Sequence, residues 1–203
     1  MAVTPNYSWP VPVNTDYVKD GAEAIKDLGD AIDATVFGLP APTSGLTLIK
    51  TQVIGNAVTS VTVSGAFSAT YDNYKIMISG GVGSAAIGIN LKLGSTTTGY
   101  YSSVAAGNFA NATINNYRNS NATSWVFLSG GTTATLPFDC NLINPFLAKN
   151  TLVDFMFIDQ IAGGAGGHGA GYLDGIISYT DFTLTPSTGT ITGGTISIYG
   201  YRK

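Results

Sequence analysis

The sequence predicts a mainly β protein: an N-terminal extended arm and a single helix, then a C-terminal β-sandwich of jelly-roll type. Three observations carry that expectation. Apolar and polar residues alternate with period two in segment after segment beyond residue 46, which is the pattern of strands with one face on a core. Only one stretch, near the N-terminus, shows helical spacing of apolar residues. Charged residues make up 10% of the 203 and hydrophobic ones 44%, while Gly, Ser, Thr and Asn supply about two-fifths of the chain. That is enough apolar surface to offset ordering entropy and enough turn chemistry to join many short strands.

Residues 1–14, MAVTPNYSWPVPVN, contain three prolines beside Tyr7 and Trp9. Each proline lacks an N–H and holds its predecessor extended. An extended arm is expected, with Tyr7, Trp9, Pro10 and Pro12 as the surface it would dock on another chain. Residues 15–37 read as the helix, with Thr15 as N-cap and Asp16 at the positive end of the dipole. Val18, Ile25 and Ile32 recur every seven residues, with Ala22, Leu28 and Val36 beside them. So narrow a stripe, flanked by charge, suits self-association in a helical stem. Packing on the chain's own β-domain is the alternative. Residues 38–45, GLPAPTSG, read as a linker.

Residues 46–203 are expected to form the β-sandwich, with ten to twelve strands. Ile87, Ile89, Leu91 and Leu93 alternate cleanly, as do Tyr74, Ile76 and Ile78, then Ala57, Thr59, Val61 and Val63, and finally Ile196 and Ile198. The run from Leu152 to Ile158 is apolar on both faces except at Asp154, so it reads as a strand buried on both sides, either central in a sandwich or covered by a neighbouring subunit.

Charge divides the chain in the same place. Residues 1–37 carry six acidic and two basic side chains, and the rest carry six acidic and seven basic. The scattered basic residues leave no footprint for nucleic acid. No apolar run reaches membrane-spanning length, so no membrane insertion is expected. The opening residues carry neither a basic nor an apolar run, so no secretory signal is expected. The lone Cys140 and lone His168 leave no intrachain disulfide and no metal site within one chain. No cofactor is expected.

Candidate chemistry is sparse. Gly164, Gly166 and Gly169 match a dinucleotide fingerprint, but a strand and not a helix is expected after them. The segment reads instead as a glycine-rich surface loop, with Gly166, Gly167 and His168 as binding candidates. Tyr100, Tyr101 and Tyr117 lie among Asn and Ser, and rings stacking on sugar faces would suit glycan binding; Trp125 reads as core. No catalytic residues are expected. The six aspartates of the β-region include Asp154 and Asp159, whose odd spacing sets them on opposite faces of one strand.

Three stretches carry a resemblance. Tyr7-Ser8-Trp9-Pro10-Val11-Pro12 with Asp20-Gly21-Ala22-Glu23-Ala24-Ile25 resembles the N-terminal segment of tailed-bacteriophage tail-fibre and minor tail proteins. Phe67-Ser68-Ala69-Thr70-Tyr71-Asp72-Asn73-Tyr74-Lys75-Ile76 and the ending Gly189–Tyr201 resemble strands of phage fibre β-domains. The resemblance covers about a third of the chain. It implies a homotrimer made in the bacterial cytoplasm and built into the virion tail. Residues 1–37 would attach to tail or baseplate proteins, and the β-domain would bind a host-surface glycan. The family also includes non-adhesive virion proteins, such as capsid decoration or head-fibre proteins. The middle of the chain, residues 94–150, matches no pattern of the family.

Overall fold

The computed structural model describes residues 2–13, 17–39, 45–160 and 163–203. It divides into two compact units, Met1–Ser44 and Gly45–Lys203.

In the first unit the proline-rich arm is a hairpin and not a free extended segment. Strand β1 (Ala2–Val3) pairs antiparallel with β2 (Pro10–Val11). The Trp9 carbonyl accepts from the Thr4 N–H at 2.9 Å, and the Trp9 N–H donates to Thr4 Oγ1 at 3.0 Å. Trp9 then ties the hairpin to the helix, its indole N–H donating to Thr35 Oγ1 at 2.8 Å. The side chain expected to dock elsewhere is thus engaged within its own unit, while Tyr7 stacks on Trp9 and stays exposed.

The helix starts later than the capping pattern suggests. A 3-10 turn at Val18–Asp20 leads into α1 (Gly21–Phe37), and Tyr17 before it is extended. Thr15 and Asp16 lie outside the described residues. Ala24 is the helix's buried side chain. Leu28 and Thr35 fall on that same face by helical spacing, so Leu28 belongs to the hairpin side and not to the open seam. Val18, Ile25 and Val36 are 98%, 67% and 58% exposed. With exposed Ala22 and Gly29 and half-buried Ile32 they form a stripe at alternating spacings of four and three. Residues 40–44 of the expected linker lie outside the described residues.

The second unit is mainly β and entirely antiparallel in its pairings. Eight strands form one sheet in the order β3 (Leu46–Val53), β16 (Thr195–Tyr201), β5 (Asn73–Ser79), β11 (Phe138–Ile143), β12 (Thr151–Asp159), β13 (Ala165–Leu173), β8 (Tyr100–Asn108), β9 (Ile114–Ala122). Four more form a second sheet in the order β10 (Trp125–Gly131), β7 (Ile87–Leu93), β14 (Phe182–Pro186), β4 (Val61–Val63). A short pair, β6 (Val82–Gly83) with β15 (Ile191–Thr192), completes fourteen strands among the described residues of this unit. That exceeds the ten to twelve expected, because two-residue strands leave no readable period.

One core joins the two sheets. The alternation of Ile87, Ile89, Leu91 and Leu93 puts all four at 1% exposure or less, and Ile76, Ile196 and Ile198 face them at 0%. Strand β4 starts only at Val61; Ala57, expected in it, has φ +50°. Aromatic pairs bridge the layers, with Phe127 edge-on to Phe157 and Trp125 edge-on to Tyr100 at 5.1 Å. Each such ring removes a large apolar area from water.

Two site expectations fail here, and a third, on β12, holds on one face only. The glycine-rich stretch is a strand, β13, and not a loop. It pairs with β12 on one side and β8 on the other over nine residues each. Its glycines answer crowding. A Cβ on Gly169 would lie 2.3 Å from the Phe155 ring and 2.8 Å from Val104 Cγ2. Tyr100, expected at the surface, is 0% exposed, and its hydroxyl accepts from the Leu93 N–H at 2.8 Å. Strand β12 is buried on its inner face only. Leu152 and Met156 on its outer face are 40% and 45% exposed.

Candidate functional site

The site is built on the outer face of the eight-stranded sheet, opposite the core. Strand pairing fixes which residues meet there. Tyr101 sits opposite Tyr172, and Tyr172 opposite Leu152. One register step along, Arg118 faces Ser103, Ser103 faces Ala170, and Ala170 faces Asp154. The first row is aromatic and apolar. The second runs from a cation over small side chains to a carboxylate.

Tyr101 and Tyr172 stack with ring centroids 4.8 Å apart and planes 10° from parallel. Tyr172 is 40% exposed. Beside the pair lies an open depression of about 270 Å³, bounded by the two tyrosines, Arg118 and Ser120, with Ser103, Ala170 and Gly171 as its floor. It continues over Tyr172 into a second hollow along Leu152 and Ile143, and then into a third beside Asn73, Asn141 and Tyr201. Small residues make the hollow: a larger side chain at Ala170 would fill it.

The far end carries a polar chain. The Tyr201 hydroxyl donates to Asn141 Oδ1 at 2.7 Å, the Asn141 amide donates to Asp154 Oδ2 at 3.1 Å, and His168 Nε2 lies 2.7 Å from Asp154 Oδ1. Lys75 holds Asp139 in the same way, at 2.5 Å. Both outer-face carboxylates of this region therefore have basic partners. Asp159, odd-spaced from Asp154, points to the inner face, where its side chain borders Gly130. Among the described residues no three His, Cys, Asp or Glu side chains gather to hold a metal ion, and no helix is long and apolar enough to cross a membrane.

The residues expected to bind divide among three environments. Tyr101 and His168 lie on the outer face, Tyr101 beside the depression and His168 against Asp154. Tyr117 lies on edge strand β9 opposite Val104, an inner-facing position, with its ring tilted against Phe157. Gly166 sits under the Phe109 ring, and Gly167 faces inward opposite Phe157. Tyr172, Arg118, Asn141 and Tyr201 were not among the candidates. Tyr172 carries a readable signal, because its parity with Leu173 places it opposite the core. Tyr101 and Tyr172 are 71 positions apart, however, and no local pattern joins them.

Comparison with protein-family models, curated proteins and solved structures found no match.

Proposed function

We propose that the chain is an adhesive fibre protein of a tailed-phage virion. In this reading the N-terminal unit attaches to tail or baseplate proteins and trimerises through its open helical stripe. The β-unit is a jelly-roll-like sandwich that binds a host-surface glycan without cleaving it. The observation that carries the adhesive part is the stacked, half-exposed Tyr101–Tyr172 pair above a floor of small residues. Such rings offer apolar faces to sugar C–H groups, and Ser103 and Ser120 border the same groove, with hydroxyls for those of a sugar. The fibre part rests on the sequence resemblance and on the division into an acidic stem unit and a β-unit whose charges nearly balance.

The test is binding of the labelled full chain to whole bacteria and to their extracted envelope polysaccharide. Tyr172→Ala should lower adsorption about fivefold or more while leaving the melting temperature within a few degrees, since stacking on an aromatic ring is worth roughly 1 kcal/mol. Equal adsorption by both proteins would remove the groove from the function.

One observation favours a second reading, a non-adhesive virion protein such as a capsid decoration or head-fibre protein. Leu152 and Met156 leave apolar surface open at the centre of the sheet, and a neighbouring subunit could cover it. That reading expects normal adsorption by virions lacking the protein.

A further inference from the structure

The groove has a charge asymmetry that narrows its ligand. Asp139 and Asp154 are engaged by Lys75 and by His168 with Asn141. Arg118 borders the depression beside the tyrosine pair and has no ion pair among the described residues. It stands on edge strand β9, opposite Ser103, with no acidic residue among those that bound this end of the groove. Three strand spacings, about 14 Å, separate its row position from Asp154, so the nearest outer-face carboxylate of that row is beyond ion-pair reach. The β-unit as a whole carries one more basic than acidic residue.

We infer that the Tyr101–Tyr172 groove takes an acidic sugar, with the ring against the tyrosines and a carboxylate on the Arg118 guanidinium. This rests on the adhesive reading and deepens it. A guanidinium presents a planar fork that matches both oxygens of a carboxylate. A neutral hexose would use the tyrosines and serines but leave the cation unmatched. Asn119 stands one residue along β9 and is turned inward, its amide donating to Ser102 Oγ and the Val126 carbonyl. That anchors the strand beneath Arg118 and fixes which face the arginine occupies.

The experiment is an oligosaccharide array probed with the full chain. Its sugars are paired: galacturonate with galactose oligomers, glucuronate with glucose oligomers, sialylated with desialylated glycans. At low ionic strength the acidic member of at least one pair should bind about five- to tenfold more tightly. The site is open to water, so the advantage should shrink as salt approaches physiological strength. Arg118→Gln should erase the difference between the two members, and Arg118→Lys should restore part of it. Equal binding of both members, or a preference that survives Arg118→Gln, overturns the inference while leaving adhesion through Tyr172 standing. No binding to any sugar on the array overturns the adhesive reading together with it.

Discussion

Gly169 lies between Phe155 and Val104, and a Cβ there would come within 2.3 Å and 2.8 Å of their side chains. Gly169→Ala should therefore lower stability by about 1–3 kcal/mol, the usual cost of overpacking. Gly107→Ala on neighbouring β8, where a Cβ meets nothing within 4 Å, should change it by less than about 1 kcal/mol. Urea unfolding of the two variants side by side checks this, and equal midpoints would mean that β12 and β13 are not packed as described. Cys140 offers a second test. Burial pushes its thiol above the ordinary 9.0, and burial does the same to the Tyr100 phenol above its ordinary 10.0. An acid whose folded pKa is raised contributes stability in full below its unfolded pKa and loses it as pH rises toward the folded value. The urea midpoint should thus hold from neutrality to about pH 8 and fall beyond about pH 9, as the unfolded chain sheds protons the folded chain keeps. Cys140→Ala lowers the midpoint everywhere but should flatten the first part of that fall. Parallel pH curves for wild type and variant would show that the thiol is not buried.

Elements with one buried face were legible in the sequence, and elements defined by partners were not. β7 announced itself, because Ile87, Ile89, Leu91 and Leu93 alternate with Gly88, Asn90 and Lys92 and every second side chain enters the core. β13 could not, because glycine displays no period; its strand character lies in Phe155 and in the β8 backbone. Tyr100 and Tyr101 show the same limit. Two tyrosines followed by two serines carry no mark of which one faces inward, and only the pairing with Leu173 and Tyr172 decides. The hairpin was hidden because its tether to the helix spans 26 positions, from Trp9 to Thr35. The helical stripe was legible except at Leu28, which the hairpin face claims. What remains open at Val18, Ile25 and Val36 is apolar and flanked by charge, the composition of a coiled-coil seam. If that seam joins copies, Ile25→Asp sets one carboxylate per copy into the interface, and unpaired buried charge is strongly disfavoured. The variant should sediment as a monomer at concentrations where wild type is assembled, with unchanged β-unit spectra. Assembly that survives the substitution would assign the stripe to another partner.

At the scale of the whole molecule, two uses of one surface exclude each other. The outer face of the large sheet offers the Tyr101–Tyr172 groove at one end and half-exposed Leu152 and Met156 at its centre. A sugar needs that face open, whereas a neighbouring sandwich packed on it would close the groove. The division at Ser44 and Gly45 separates the two possibilities experimentally, since the helical stripe and the sheet face lie in different units. If the stem alone assembles the protein, the full chain should have a mass near 63 kDa, three times 21.0 kDa, and the 45–203 fragment should be a monomer. The fragment should then retain sugar binding per site while losing the avidity of linked copies, a loss of roughly a hundredfold or more on a multivalent surface. If the fragment itself assembles, the sheet face is the simplest apolar surface to hold it together. In that case Met156→Lys should disperse the fragment, and the groove would be an internal contact. Light scattering of the full chain and the fragment, followed by the fragment's binding to immobilised polysaccharide, therefore decides between a sheet face open to sugar and one closed by assembly.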